Sequence, residues 1–420
     1  MPFRKFRARL SSNISQESTV SRSTDDQSWE RRSFDHPPVI PRVRSTRTLG
    51  LVGDPRYNRD SAGSVRFGDR TLWIWRDTQE VTSAGQIQQN NLWSSTASWS
   101  NHNDDDSPSF SHDGRRHSSF SGRPERTTAN ALVLKHYGEH NPERAFFRII
   151  HDGCEPKAGI RKDGSRRAMW PNTSPLVVSS SENGRIIAYA WVQKAHIARD
   201  GSIATQNPAT TLYKLTHVSP GDENALPRAN VVDGNFWSEN EIPYGTYGSV
   251  LKDGIAYLFA QVGNNVIAVA RVLCDYIERK SCYEYWVDGD WTKTRPSIND
   301  RTIDVGNAGA GGQGTFYWSD AWECFVWIGG SATPGAHCYI STSPASTGPW
   351  TQPFMFFKGD DGTHFSLGQS VQAHPSLLRD GEDENGMYLT YTKCDAGPNG
   401  TVIYSTPLVY IEWDDDDSSE

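Results

Sequence analysis

The chain has 420 residues and a formal net charge of −8, with 15 Trp, 16 Tyr, 16 Phe, 36 Gly and 23 Pro. That length can bury a substantial core in one large all-β domain or two ordinary domains. The acidic balance with scattered basic residues excludes nucleic-acid binding as the main role, and no run of about 18 apolar residues is present to span a membrane.

Residues 1–48 are polar, charged and interrupted by proline, and read as a disordered basic, Ser-rich tail. The first residues lack the apolar core of a secretory signal, so the expected location is cytoplasmic by default; an Arg- and Ser-rich mitochondrial presequence is the competing reading. The next segment, "RDSAGSVRFGDRTLWIWRDT" (Arg59 to Thr78), predicts a hairpin with strands over 63–67 and 71–75 about a tight turn. The start of its first strand and the end of its second lie at one end of the sheet, so Asp60 and Asp77 are expected side by side, strands being about 4.8 Å apart. Two such carboxylates have to be solvated, paired with Arg59 and Arg76, or used for chemistry.

Residues 94–130, with "NHNDDDSPSFSHDGRRHSSF", read as a long flexible insertion. Beyond it the opening hairpin recurs in degenerate form, from Asn172, Tyr247, Gln313 and His374. Each copy has a small residue, a short apolar strand, a turn of Gly, Asp, Asn or Ser, and a second strand with an aromatic near its middle. Five such units predict one all-β domain over 49–413, a five-bladed β-propeller whose first strands line the axis. A two-sheet sandwich leaves the five repeats unexplained. Residues 414–420 form an acidic tail. The six cysteines show no CxxC spacing, so free thiols and no zinc are expected.

On a propeller, Asp60, Asn172, Tyr247, Gln313 and His374 converge at the mouth of the channel, the default place for a ligand. Trp73, Trp75, Trp191, Trp318 and Trp327 are expected in the core between blades. No metal or other cofactor is expected, although His374, at the head of the last inner strand, could hold substrate or, through water, a central cation. The run Asp104 to Asp106 reads as solvated linker.

"RDSAGSVRFGDRTLWIWRDT" with the later "YGTYGSVLKDGIAYLFAQ" resembles the propeller proteins grouped as domain-of-unknown-function family 4185, and more widely the five-bladed arabinanase-like glycoside hydrolases. The residues shared with the first motif are Asp60, Gly63, Ser64, Trp73, Asp77 and Thr78; Arg76 stands where glycine is usual and would narrow the site. The resemblance implies catalysis by Asp60 and Asp77 on a furanose-containing, arabinan-like glycan. Asp60 would act as base or nucleophile and Asp77 as general acid, or the reverse. Arg59, Arg76, Asn172, Tyr247, Gln313 and His374 are the candidate substrate contacts. The alternative is a non-catalytic propeller binding carbohydrate or protein, with both acids as structural supports; no protein partner is indicated.

Overall fold

The computed structural model describes residues 38–112, 132–181, 184–218, 222–263, 266–379 and 385–414. The chain divides into residues 1–37 and 38–420, and the second unit is the one described below. Among the described residues every regular element is a β-strand or a three-residue 3-10 turn, so the protein is all-β.

The opening hairpin forms as expected, with strands Ala62–Phe67 and Arg70–Trp75 pairing antiparallel about Gly68 and Asp69. Gly68 has φ +68°, a backbone that the absence of a Cβ makes cheap. A third strand, Thr96–Asn101, pairs with Arg70–Trp75. Tyr57–Arg59, Thr78–Val81 and Ile87–Trp93 continue these three strands as a second ladder, so one meander bends between Arg59 and Ala62. Four further sheets follow, in which Leu176–Ser180, Gly248–Lys252, Gly311–Ser319 and Gln369–Ala373 are the counterparts of Ala62–Phe67. These four and Ala62–Phe67 touch in a closed cycle: each packs against the next, and Gln369–Ala373 returns to Ala62–Phe67. The fold is therefore propeller-like, with these strands around the axis.

Two expected boundaries are corrected. Residues 43–48 are not tail, because the strand Val43–Gly53 runs antiparallel to Pro407–Trp413 and parallel to Leu132–Lys135. Most of its first side chains are exposed, which gives it a polar composition; its order comes from backbone bonds to the far end of the chain. Residues 94–112 are not one loop, because Thr96–Asn101 is the third strand of the first sheet and Phe110–His112 pairs with Leu132–Lys135. The serines of "TASWSN" are buried as hydrogen-bond acceptors: Trp73 Nε1 donates to Ser100 Oγ (2.8 Å) and Trp75 Nε1 to Ser98 Oγ (3.0 Å). The rest of the expected insertion, 113–131, and residues 1–37 and 415–420 lie outside the described residues.

Aromatic packing joins the sheets. Trp73, Trp75 and Trp327 are fully buried and Trp191 nearly so, whereas Trp318 is half-buried under the Lys252 ammonium. Between the third and fourth sheets, Phe259 and Phe316 stack with centroids 3.9 Å apart. That contact needs Gly248, where an added Cβ would lie 2.2 Å from Phe316 Cδ2. Gly248→Ala is expected to cost about 1–3 kcal/mol through overpacking, read as a lower denaturant midpoint at unchanged slope.

Candidate functional site

The bend in the first meander builds the site. Asp60 donates its backbone N–H to the Asp77 carbonyl (3.0 Å) and accepts from the Arg76 N–H (3.0 Å), so the two aspartates are cross-strand neighbours, as the hairpin geometry predicts. Ser61 makes the bend with φ +56°, a left-handed backbone uncommon outside glycine. Its N–H bonds Thr392 Oγ1 (3.1 Å) and its Oγ accepts from Gln313 Nε2 (3.0 Å). Two more left-handed residues, Leu367 (φ +57°) and Ser370 (φ +57°), bracket Gln369, which donates to Asp60 Oδ1 (3.2 Å). Strained backbone held by surrounding bonds tends to gather where side chains are being aimed.

The two carboxyls sit in different surroundings. Asp60 is 9% exposed, and burial pushes its carboxyl above the usual carboxylate range; Arg76 pulls it down and Asp77 adds to the rise. Asp77 is turned to the second sheet. Arg166 grips it bidentately, Nη1 to Oδ2 at 2.7 Å and Nη2 to Oδ1 at 2.5 Å, and Trp170 Nε1 donates to Oδ1 at 2.8 Å. Arg76 projects between the sheets, where its Nη2 donates to Asn172 Oδ1 (2.5 Å) and Gln313 Oε1 (2.7 Å). Burial lowers the Arg76 pKa while the charges of Asp60 and Asp77 raise it. Gln313 Nε2 also donates to the Asn172 carbonyl (2.7 Å). Tyr404, half-buried, lies within the field of both aspartates; burial first and then those charges raise its phenol pKa.

Asp60, Arg76, Asp77, Asn172 and Gln313 therefore come together, and three other candidates do not. Arg59 is buried, stacked over Tyr57 and Trp75, with Nη1 3.4 Å from Ser98 Oγ. Burial brings its pKa down to about 10. Tyr247 is 5% exposed, packed against Phe316 and Trp327, and so forms wall rather than mouth. His374 does not open the last inner strand. That strand is Gln369–Ala373, and Pro375, which has no N–H for a ladder, begins a 3-10 turn right after His374. His374 lies fully buried below the mouth, with Nδ1 on Ser64 Oγ and Nε2 on Thr390 Oγ1, both at 2.7 Å. Burial drives its pKa down to about 3, and both nitrogens are taken, so it offers none to a central cation. Among the described residues no group of three or more His, Cys, Asp or Glu is placed to hold a metal. None of the six cysteines is in a disulfide.

The residues that escaped the sequence reading are Arg166, Trp170, Gln369 and Thr392. Gln369 leads the run "QSVQA", whose alternation marks a strand five residues before His374. Arg166 and Trp170 carry no local signal, since the strand Arg166–Trp170 reaches Asp77 only through the packing of the second sheet on the first.

No protein-family model matches the chain, and no curated protein does. Among solved structures, a Bacteroides ovatus protein provisionally designated a hydrolase is 13% identical over 87% of this chain and 87% of its own, with a TM-score of 0.53. That likeness shows a shared fold. An exo-β-1,3-galactanase from Phanerochaete chrysosporium, in complex with β-1,3-galactotriose, aligns at 11% identity over 90% of this chain and 66% of its own, with a TM-score of 0.39. The GH43 BlXynB protein from Bacillus licheniformis aligns at 12% identity over 89% and 55%, with a TM-score of 0.39. No helix among the described residues is long and apolar enough to cross a membrane.

Two predictions follow from the charges. A carboxyl whose folded pKa is raised contributes stability that is complete below its unfolded pKa and lost as pH rises through the folded one. Asp60→Asn removes that dependence and keeps an acceptor for Gln369, so its melting temperature relative to wild type should climb as pH rises above about 4, the unfolded carboxyl's range. Replacing Arg166 by Lys loses the bidentate grip on Asp77 and should lower stability by about 1–2 kcal/mol in chemical denaturation.

Proposed function

We propose that the protein is a glycoside hydrolase that uses Asp60 and Asp77 at the mouth of a five-bladed propeller. The observation that carries this reading is the pair of neighbouring carboxyls in unlike surroundings. One is desolvated with its pKa raised, and the other is held by a guanidinium and an indole N–H. Glycoside hydrolysis needs one acid that keeps its proton and one carboxylate, and such separation of environments divides the roles. The surroundings favour Asp60 as general acid and Asp77 as the carboxylate, the reverse of the assignment preferred from sequence. Arg76, Asn172 and Gln313 would bind substrate hydroxyls. The closed cycle of inner strands supports the blade count, and the motif around Asp60 supports membership of domain-of-unknown-function family 4185 and a furanose-containing, arabinan-like substrate.

One observation favours a second reading. Both oxygens of Asp77 are already occupied by donors, as in a structural support, which suits a propeller that binds a carbohydrate without cleaving it. Reducing-sugar release from arabinan, β-1,3-galactan and common glucans separates the two. A hydrolase is expected to lose about 10²–10⁴-fold of its rate in Asp60→Asn and Asp77→Asn variants that remain folded by thermal melt. Its rate should also fall as rising pH strips the proton from Asp60. Binding to a glycan with no release by the wild type would leave the second reading in place.

A further inference from the structure

Loop 359–368, between the strands Phe354–Lys358 and Gln369–Ala373, presents the most exposed large hydrophobic side chain among those described. Phe365 is 89% exposed, and the next, Ile40, is 62%. Its ring lies 4.2 Å from the His364 ring at 39°. The loop is tied to the fifth sheet: Asp360 pairs with Lys393 Nζ (2.6 Å), its N–H donates to Tyr391 Oη (3.1 Å), and the His364 N–H donates to the Cys394 carbonyl (2.9 Å). A large aromatic ring held out in water by so many bonds needs a reason, because exposure forgoes its burial and the tethers cost chain entropy.

The loop is continuous with the proposed site. Gln369, directly after it, bonds Asp60 Oδ1, and the Asp60 charge also reaches the Cys394 thiol, whose pKa burial raises to about 12. Three residues lie between Phe365 and Gln369, so their Cα atoms are at most about 14 Å apart even when the chain is fully extended. Phe365 therefore belongs to the loop that leads directly into the residue bonded to Asp60. One exposed apolar ring on a loop that also carries Asp360, Asp361 and Thr363 suits a sugar, which has an apolar C–H face and hydroxyls at its edge. A protein partner would need a continuous interface of about 1,000 Å² or more, which one aromatic among charges does not supply.

Resting on the hydrolase reading above, we propose that Phe365, backed by His364, is a stacking subsite for a neutral sugar ring of a glycan chain lying across the mouth, beyond the sugar cleaved at Asp60. Its contribution would be to affinity for long chains and not to the chemical step.

The test compares wild type, Phe365→Ala and Phe365→Trp on polymeric arabinan or β-1,3-galactan and on a single-sugar aryl glycoside. Phe365→Ala is expected to raise KM for the polymer about three- to tenfold, the loss of one aromatic stacking contact, with kcat and the aryl-glycoside rate unchanged. Phe365→Trp should restore wild-type KM. An unchanged polymer KM in a folded Phe365→Ala variant would overturn the subsite while leaving the hydrolase reading intact. If no substrate is cleaved, retardation in gels containing each polymer decides. Retardation of wild type that Phe365→Ala loses supports the subsite and overturns hydrolysis, and no retardation of wild type overturns both.

Discussion

The backbone exchange at the bend, where the Asp60 N–H meets the Asp77 carbonyl and the Arg76 N–H meets the Asp60 carbonyl, sets the terms for everything at the mouth. It forces two carboxylates onto neighbouring strands about 4.8 Å apart, a juxtaposition that is unfavourable without compensation. The protein compensates each differently, with Arg166 and Trp170 on Asp77 and with burial, Arg76 and Gln369 on Asp60. The same bend places Ser61 in a left-handed conformation that Thr392 and Gln313 hold from two other sheets. The second, fourth and fifth sheets are thus all tied to one turn of the first.

Beneath this ring the interior is polar in an ordered way. His374 sits between Ser64 and Thr390 against the face of Trp73, and the indole N–H groups of Trp73 and Trp75 end on Ser100 and Ser98. A buried polar group without a partner costs about 1–3 kcal/mol, so each such pair discriminates against a slipped register. Small residues suit the spacing: a Cβ on Gly63 would come 2.9 Å from Ser174 Oγ, where the first sheet meets the segment leading into the second. Polar bonds at the mouth, aromatic stacks between sheets and the pairing of Val43–Gly53 with Pro407–Trp413 act together to hold the circle closed.

Much of this was legible before any coordinates. Alternation of apolar and polar residues, aromatic strands and Gly–Asp turns located the repeated hairpins, because strand and turn preferences operate within about ten residues. The nearness of Asp60 and Asp77 followed from hairpin geometry alone. The errors share one cause. Thr96–Asn101 reads as a loop because its buried serines look solvated until their indole donors, more than twenty positions away, are in place. Residues 43–48 read as tail because the partner of their strand lies at the other end of the chain.

The sequence by itself determined an all-β chain of repeated hairpins with a carboxylate at each end of the first. Each of those features is encoded in a short window and needs no distant contact. The tertiary structure alone decided that Gln369 and not His374 heads the last inner strand at the mouth, that Asp77 is claimed by Arg166, and that Asp60 is the desolvated acid. Those outcomes depend on contacts between residues 89 to 309 positions apart. Closure of the sheets into a ring is what brings such residues within bonding distance, and no local pattern records it.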